Sequence, residues 1–343
     1  MKSRQILFTA PKTVEITEHE INEELTRDQV LVRTEYTAVS AGTERDNLNN
    51  EPNLYSLTLD ADPPFPRHFG YSGSAVVLKT GPDCKRLKPG DRVVVYFGTH
   101  SEYAVWPESK LFPIRVPEIG MDEAALSVIA GFPAEGVRKT RLEFGESAMV
   151  MGLGILGLMA VQFCRIAGAV PVIAVDLNPV RRELALKMGA DYALDPNDKR
   201  FLDTVKELTE GMGVNVCVDV AGNATATNTA LLCLGRFGRI TLLGCTRHHG
   251  EYDLYHLVHG KGVQVIGANN WARPEYESRP GCWTGEDDIF ALHKLMEAGR
   301  FLMRPLISEI HSPLDAKKVY DRLLNDRNFP IGVLFNWNLL NNP

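Results

Sequence analysis

Excess positive charge is missing from this chain. Its 37 Lys and Arg stand against 43 Asp and Glu, a net charge of −6, and no basic block occurs. A partner with a phosphate backbone needs a basic patch or stripe, so no nucleic acid is expected. Long hydrophobic runs are missing too. The longest, Ala148 to Val161, is too short to span a bilayer and is broken by three glycines, so no membrane partner is expected. The first twenty residues mix Lys2, Arg4 and Lys12 with Glu15, Glu18 and Glu20. That pattern fits neither a secretory signal nor a transit peptide. Cysteines are few: Cys84, Cys164, Cys217, Cys233, Cys245 and Cys282, with no CxxC pair. Scattered among apolar neighbours, they read as free thiols in a reducing cytoplasm. Neither an internal repeat nor a low-complexity tract occurs.

What is present suits an ordinary globular protein of two domains. A length of 343 residues is long for one domain, and 44% hydrophobic residues can fill two cores. The first part is rich in short strands and turns. Gln29 to Tyr36 alternates like a half-buried strand, and Gly73 to Leu78, Arg92 to Tyr96, Glu102 to Val105 and Lys110 to Ile114 continue the pattern. Lys88-Pro89-Gly90-Asp91 marks a turn. From about Asp122 the character changes to alternating strands and helices. Helices are expected at Pro179 to Met188, Leu202 to Thr209, Thr225 to Leu234 and Asp287 to Ala298. Strands are expected at Val214 to Val220, Arg239 to Leu243 and Val263 to Ile266, with Phe335 to Trp337 as a final strand returning to the first domain. Such alternation implies a doubly wound parallel sheet.

The most informative stretch is Val150-Met151-Gly152-Leu153-Gly154-Ile155-Leu156-Gly157. A short apolar strand precedes it and a helix without Gly or Pro, Leu158 to Ala167, follows. A second strand, Ala169 to Val175, ends at Asp176, nineteen residues after Gly157. Together these are the context that a phosphate-binding glycine turn requires. Gly152 permits the tight turn, Gly154 lets a pyrophosphate approach the backbone, and Gly157 lets the helix pack on the sheet. The helix start, with Ile155 and Leu156, offers unpaired N–H groups to the phosphates. Asp176 can accept from both hydroxyls of an adenosine ribose and would repel a 2′-phosphate. NAD is therefore expected rather than NADP. Strand ends should border the nicotinamide half, near Ala221, Gly244 and Ala268.

The chain resembles the medium-chain dehydrogenase/reductase superfamily over nearly its whole length. The matching stretches are Leu87 to Val93, the Gly152 to Gly157 turn, Asp176, and Lys187 to Asp191. The resemblance implies an α/β fold: a GroES-like β-rich catalytic domain, residues 1–122 and 271–343, with a Rossmann NAD-binding domain, residues 123–270, inserted. It also implies that Arg181 lies near the adenosine ribose. In this sequence the positions of the zinc-dependent branch are changed. Ala41-Gly42-Thr43-Glu44 stands where that branch opens with a cysteine, and Gly70-Tyr71-Ser72 stands for its Gly-His-Glu. Residues 125–135 hold no Cys or His, and residues 98–111 hold no cysteine. A catalytic zinc needs three protein ligands, so none is expected. His248, His249, His256 and His259 are loosely spaced. They read as a surface or substrate-facing loop, with a second metal site as the alternative.

Without a Lewis acid, a side chain must take the alcohol's proton. Thr43 matches the hydroxyl residue that begins the family's proton relay. Tyr71 stands in place of a metal-binding histidine, Glu44 could hold or deprotonate that phenol, and His68 is a further base candidate. For His68 a merely structural, partly buried histidine is an equal alternative, Thr43 could simply cap a turn, and Tyr71 could be a core tyrosine with its hydroxyl satisfied. The chain is also similar to sugar- and polyol-handling members, including glycoside 3-dehydrogenases. That likeness lies in Gly42-Thr43-Glu44, in Arg273 to Tyr276 and in Leu295 to Gly299. Asn269 to Arg273, polar with one aromatic, suits a hydroxyl-rich ring. The expected activity is an NAD-dependent, zinc-independent oxidation of a secondary alcohol in a sugar, glycoside or cyclitol. A quinone or enoyl reductase and a non-catalytic NAD(H) sensor are the alternatives. By resemblance a homodimer or homotetramer is expected, with 262–267 as the edge that pairs.

Overall fold

The computed structural model describes residues 1–51 and 64–340. In chain order the first elements are β1 (Lys2–Ala10), β2 (Thr13–Glu20), β3 (Gln29–Ala38), α1 (Ala41–Asn49), β4 (Arg67–His68), β5 (Ser72–Thr80), β6 (Arg92–Tyr96), β7 (Tyr103–Pro107), β8 (Leu111–Pro113), α2 (Met121–Ala124) and α3 (Ser127–Lys139). Then come β9 (Ala148–Met151), α4 (Ile155–Ile166), β10 (Val172–Val175), α5 (Pro179–Lys187), β11 (Tyr192–Leu194), α6 (Phe201–Leu208), β12 (Val214–Asp219), α7 (Ala224–Cys233), β13 (Leu234–Leu242) and β14 (Gln264–Gly267). The last are α8 (Gly285–Glu297), β15 (Ile307–His311), α9 (Ala316–Asn325) and β16 (Gly332–Asn336).

Two compact units result. One comprises Met1–Ile129, His293–Glu297 and Met303–Pro343; the other comprises Ala130–Leu292 and Ala298–Leu302. Residues 271–292 and 298–302, expected with the first unit, belong to the second. Two groups of contacts explain this. Arg273 is tied to Glu135 at 2.7 Å, and Phe301 packs on Phe163 with ring centres 4.7 Å apart.

The first unit is β-rich. One sheet has the order β2-β1-β4, and a larger one runs β15-β16-β3-β5-β6-β8, with β7 also pairing with β3. The β1–β2 hairpin carries no clean alternation and was not among the expected strands. Its turn at Lys12 adopts a left-handed φ of 58°. The strand expected at Glu102 begins one residue later, because Glu102 turns its carboxylate to Arg4 at 3.0 Å. As expected, the tail returns: Phe335 of β16 pairs with Thr37 of β3. On one side of the large sheet, Phe8, Leu48, Tyr320 and Phe335 pack into a core with Trp337. A second core gathers Val30, Val32, Val77, Val93 and Leu111.

The second unit is a six-stranded parallel sheet, order β11-β10-β9-β12-β13-β14. Every residue of β9 and β10 is buried. Continuous apolar runs are what a parallel sheet covered on both faces demands. From β9 the chain winds outward through β10 to β11, then returns to β12 on the other flank of β9. That reversal makes the C-terminal ends of β9 and β12 the ligand crevice of such a sheet. The Rossmann expectation therefore holds, as does the β-rich first unit.

Candidate functional site

In the second unit the glycine turn is built as its sequence implied. Gly152 leaves β9 with φ +91°, a conformation open to glycine and strained for other residues. A Cβ on Gly157 would lie 1.9 Å from the Gly152 carbonyl oxygen, so the first turn of α4 can sit on the strand only with glycine there. Gly154 differs: among the described residues, apart from its chain neighbours and its own helix's backbone, nothing lies within 4 Å of where its Cβ would be. It is the N-cap of α4 and offers no side-chain cap. Open space above a bare helix start that includes Ile155 and Leu156 fits a pyrophosphate.

Asp176 follows β10 and is fixed by backbone. Its Oδ2 accepts from the Leu153 N–H at 2.7 Å and its Oδ1 from the Asn178 N–H at 2.7 Å. A carboxylate has about four acceptor sites, so about two remain for ribose hydroxyls. Asn178 caps α5, and Pro179 starts it. Arg182 donates to the Asp176 and Leu177 carbonyls, at 2.7 and 2.9 Å, and to Asp195 at 3.2 Å. Arg181 is half-buried on the same helix, and its guanidinium makes no hydrogen bond or ion pair to the described residues. Arg182 thus stiffens the loop that carries Asp176, a role the sequence gave no sign of.

Ala221, Gly244 and Ala268 follow the C-terminal ends of β12, β13 and β14. Asp219 holds the first of these turns, accepting from the Ala221 N–H at 3.0 Å and from the Thr227 hydroxyl at 2.5 Å. Burial pushes the Asp219 carboxyl up from its ordinary range, and these donors oppose the shift. Gly244 packs so closely that a Cβ would meet the Val220 oxygen at 2.5 Å. The turns after these strands thus form a close-packed backbone floor.

Within the first unit, Tyr71 is half-buried just before β5. Its phenolic oxygen lies 2.6 Å from Ser40 Oγ, and its ring stacks on Phe97. Glu44 is fully buried on α1; its Oε1 accepts from the Ser40 N–H at 3.0 Å and its Oε2 from the Tyr320 hydroxyl at 2.7 Å. Glu44 therefore reaches Tyr71 through Ser40, without a hydrogen bond of its own to the phenol. Burial first, and then the Glu44 charge, push the Tyr320 phenol well above its ordinary value. Thr43 lies in the first turn of α1, where its carbonyl accepts from the Asn47 side chain at 2.8 Å. His68 stands apart from this cluster. It pairs with Leu7 on β1 and lines a groove of about 770 Å³ with His19, Ser101 and Trp106. Burial, then His19, lower its pKa. Ser40 is the residue that sequence reasoning missed. No sequence signal marked it, because the helix that it precedes carries no apolar stripe.

The donors that the zinc-dependent pattern would require do not fit a metal. Ala41 carries no donor atom. Ser72 is fully buried, and its hydroxyl donates to the Ala125 carbonyl at 2.5 Å. Among the described residues, no group of three or more His, Cys, Asp or Glu side chains could hold an ion. The later histidines have other engagements: His256 is bonded to Asp253 at 2.9 Å, and His259 stacks on Tyr255. Arg273 is buried against Glu135, Gly131 and Asp288, while Trp271 and Tyr276 beside it are exposed. Among the described residues, no helix is long and apolar enough to cross a membrane.

Comparison with known proteins agrees with this architecture. Residues 26–117 match the alcohol dehydrogenase GroES-like domain, and residues 156–278 match the zinc-binding dehydrogenase family. D-guloside 3-dehydrogenase of Escherichia coli is 26% identical over 309 residues, covering 82% of this chain and 87% of that protein. L-threonine 3-dehydrogenase of Pyrococcus abyssi is 24% identical over 283 residues, covering 73% and 76%. A crystal structure of an Escherichia coli oxidoreductase/dehydrogenase of unknown specificity superposes with a TM-score of 0.84 at 20% identity, covering 98% of this chain and 99% of that one. At that identity the likeness shows the fold alone. Matches to an alcohol dehydrogenase GroES-like domain and to a zinc-binding dehydrogenase domain thus cover most of this chain.

Proposed function

We propose that this protein is an NAD-dependent dehydrogenase that oxidises a secondary alcohol of a sugar, glycoside or cyclitol without a catalytic metal. The observation that carries the proposal is the Tyr71–Ser40 hydroxyl pair, 2.6 Å apart, at the position where the zinc-dependent pattern has a ligand. NAD, when bound, supplies the hydride acceptor. The chain's own residues do the rest. Gly152, Gly154 and Gly157 shape the phosphate turn, Asp176 selects the unphosphorylated ribose, and Tyr71 takes the hydroxyl proton. Thr43 and His68 are further candidates on the first unit, and Arg181 is one for the adenosine end. The substrate class draws on the similarity to a D-guloside 3-dehydrogenase and on the polar Asn269–Asn270 stretch beside exposed Trp271. The six unpaired cysteines agree with a cytoplasmic location. A homodimer or homotetramer is proposed through β14, an edge strand that among the described residues pairs only with β13.

Fluorescence titration with NADH and NADPH, metal analysis, and NAD+ reduction against sugars, glycosides and cyclitols test this reading. Tighter NADH binding, turnover of a polyhydroxylated ring and substoichiometric zinc are expected. Stoichiometric zinc would overturn the metal-free chemistry, and tighter NADPH binding the role of Asp176. NADH binding with no turnover across the panel would favour a sensor. Tyr71→Phe should cut turnover at least about tenfold and leave NADH affinity unchanged.

A further inference from the structure

Ser40 is the N-cap residue of α1, yet its side chain makes no cap hydrogen bond. Serine is favoured at that position because its hydroxyl normally accepts from the helix's first N–H groups. Here the hydroxyl is directed to Tyr71 instead. Its backbone N–H is held by Glu44, which has no exposed surface.

The groups behind Glu44 form a chain in which every polar proton can be assigned. The Trp337 indole can only donate, and Thr37 Oγ1 accepts it at 2.9 Å. Thr37 can then donate its own proton to His100 Nδ1, 2.7 Å away. With its proton on Nε2, His100 donates to the Tyr320 oxygen at 3.1 Å, and Tyr320 donates to Glu44 Oε2 at 2.7 Å. His100 and Tyr320 have no exposed surface, and Thr37 and Trp337 almost none. A fully satisfied buried network of this kind is rigid. It ends at the Ser40 backbone and leaves the Ser40 hydroxyl with its proton to give.

We propose that Ser40 is a positioning residue for Tyr71. Its hydroxyl donates to the Tyr71 oxygen when the phenol serves as base, and the Glu44–Tyr320–His100–Thr37–Trp337 chain holds it there. This rests on the reading of Tyr71 as the proton acceptor. In the oxidation direction the Tyr71 oxygen gains the alcohol's proton while the carbon's hydride leaves for the nicotinamide. Ser40 keeps its own proton throughout and stabilises the charged phenolate before transfer. Glu44 acts only through Ser40.

The test is an ultraviolet phenolate titration of the full chain, with the Tyr71→Phe protein subtracted to isolate Tyr71. A hydrogen bond to a charged group favours ionisation, so Ser40→Ala should raise the Tyr71 midpoint by about one pH unit or more. Ser40→Thr, which keeps the hydroxyl, should restore it. Tyr320→Phe should raise it by less, because Ser40 is loosened and not removed. An unmoved midpoint in Ser40→Ala overturns the inference, as does a Tyr71 that fails to ionise before the chain unfolds in alkali. Turnover separates the two readings. Wild-type rates in Tyr71→Phe sink the role of Tyr71 and that of Ser40 with it. A slow Tyr71→Phe combined with an unmoved midpoint in Ser40→Ala sinks only the latter.

Discussion

Two glycines three residues apart in the same turn should respond oppositely to one added methyl group. At Gly157 the new Cβ would stand 1.9 Å from the Gly152 oxygen and 2.9 Å from its carbonyl carbon. Both obstacles are backbone, so no side chain can rotate away. Overpacking of this kind costs at the upper end of its usual range, about 3 kcal/mol. Alanine's better helix propensity returns about 1 kcal/mol. The net loss of about 2 kcal/mol should lower the melting temperature of the Rossmann unit by about 4–8 °C. At Gly154 the Cβ meets nothing within 4 Å, and φ is an ordinary −68°. The stability cost there is only that of a poorer N-cap residue, about 1 kcal/mol at most. The methyl group would instead fill the space proposed for the pyrophosphate. A clash of about 1–3 kcal/mol with the ligand weakens binding by about 5- to 150-fold. Thermal melts and NADH fluorescence titrations of both variants decide the matter. The reasoning fails if Gly154→Ala binds NADH as tightly as the parent, or if Gly157→Ala melts no lower than Gly154→Ala.

Other expectations follow from the same geometry. Asp176→Ser removes the charge facing a 2′-phosphate while keeping an acceptor, so the NADH-to-NADPH affinity ratio should fall at least about tenfold; an unchanged ratio in paired titrations refutes the assignment. Arg273→Met leaves Glu135 to Lys139, at 2.6 Å, and Asp288 to Arg138, at 2.8 Å. With those partners retained, the loss should be smaller than for a fully orphaned buried charge, about 2–3 kcal/mol by chemical denaturation. His293 is buried, 3.0 Å from the Ser127 hydroxyl, and burial lowers its pKa from 6.5 to about 4. The unfolded chain therefore takes up a proton below pH 6.5 that the folded chain refuses until about pH 4. Stability present above pH 6.5 is lost as pH falls across that window, by about 3 kcal/mol. His293→Gln, which does not titrate, should flatten that slope, and an equally steep acid limb would refute it.

The Rossmann unit was the more legible part of the chain because its signals are local. Glycines at fixed spacing, an apolar strand before them and an acid after the next strand are all consequences of backbone geometry within about thirty residues. The β1–β2 hairpin was harder to see, since exposed Glu18 and Glu20 stand where apolar residues would continue the Val14–Ile16 alternation. Helix α1 was equally obscure. It carries Gly42, Thr43 and two asparagines, and is held by buried Glu44 and Asn47 instead of an apolar stripe. The division of the C-terminal segment could not be read from composition. It depends on Arg273 reaching back to Glu135 and on Gln162 accepting from the Leu302 N–H at 2.7 Å.

Sequence alone determined the glycine turn, the acid that follows the next strand and the changed metal positions. Each depends on residue type and short spacing. The surroundings of Tyr71 were decided only by the folded chain. Ser40 with Glu44, His100 and Tyr320 come from three distant stretches, and they meet because β3, α1 and α9 pack around one core. A buried carboxylate and a neutral serine look alike in sequence whether they touch substrate or hold its partner. The direction of each hydrogen bond separates the two, and that is fixed by tertiary contact.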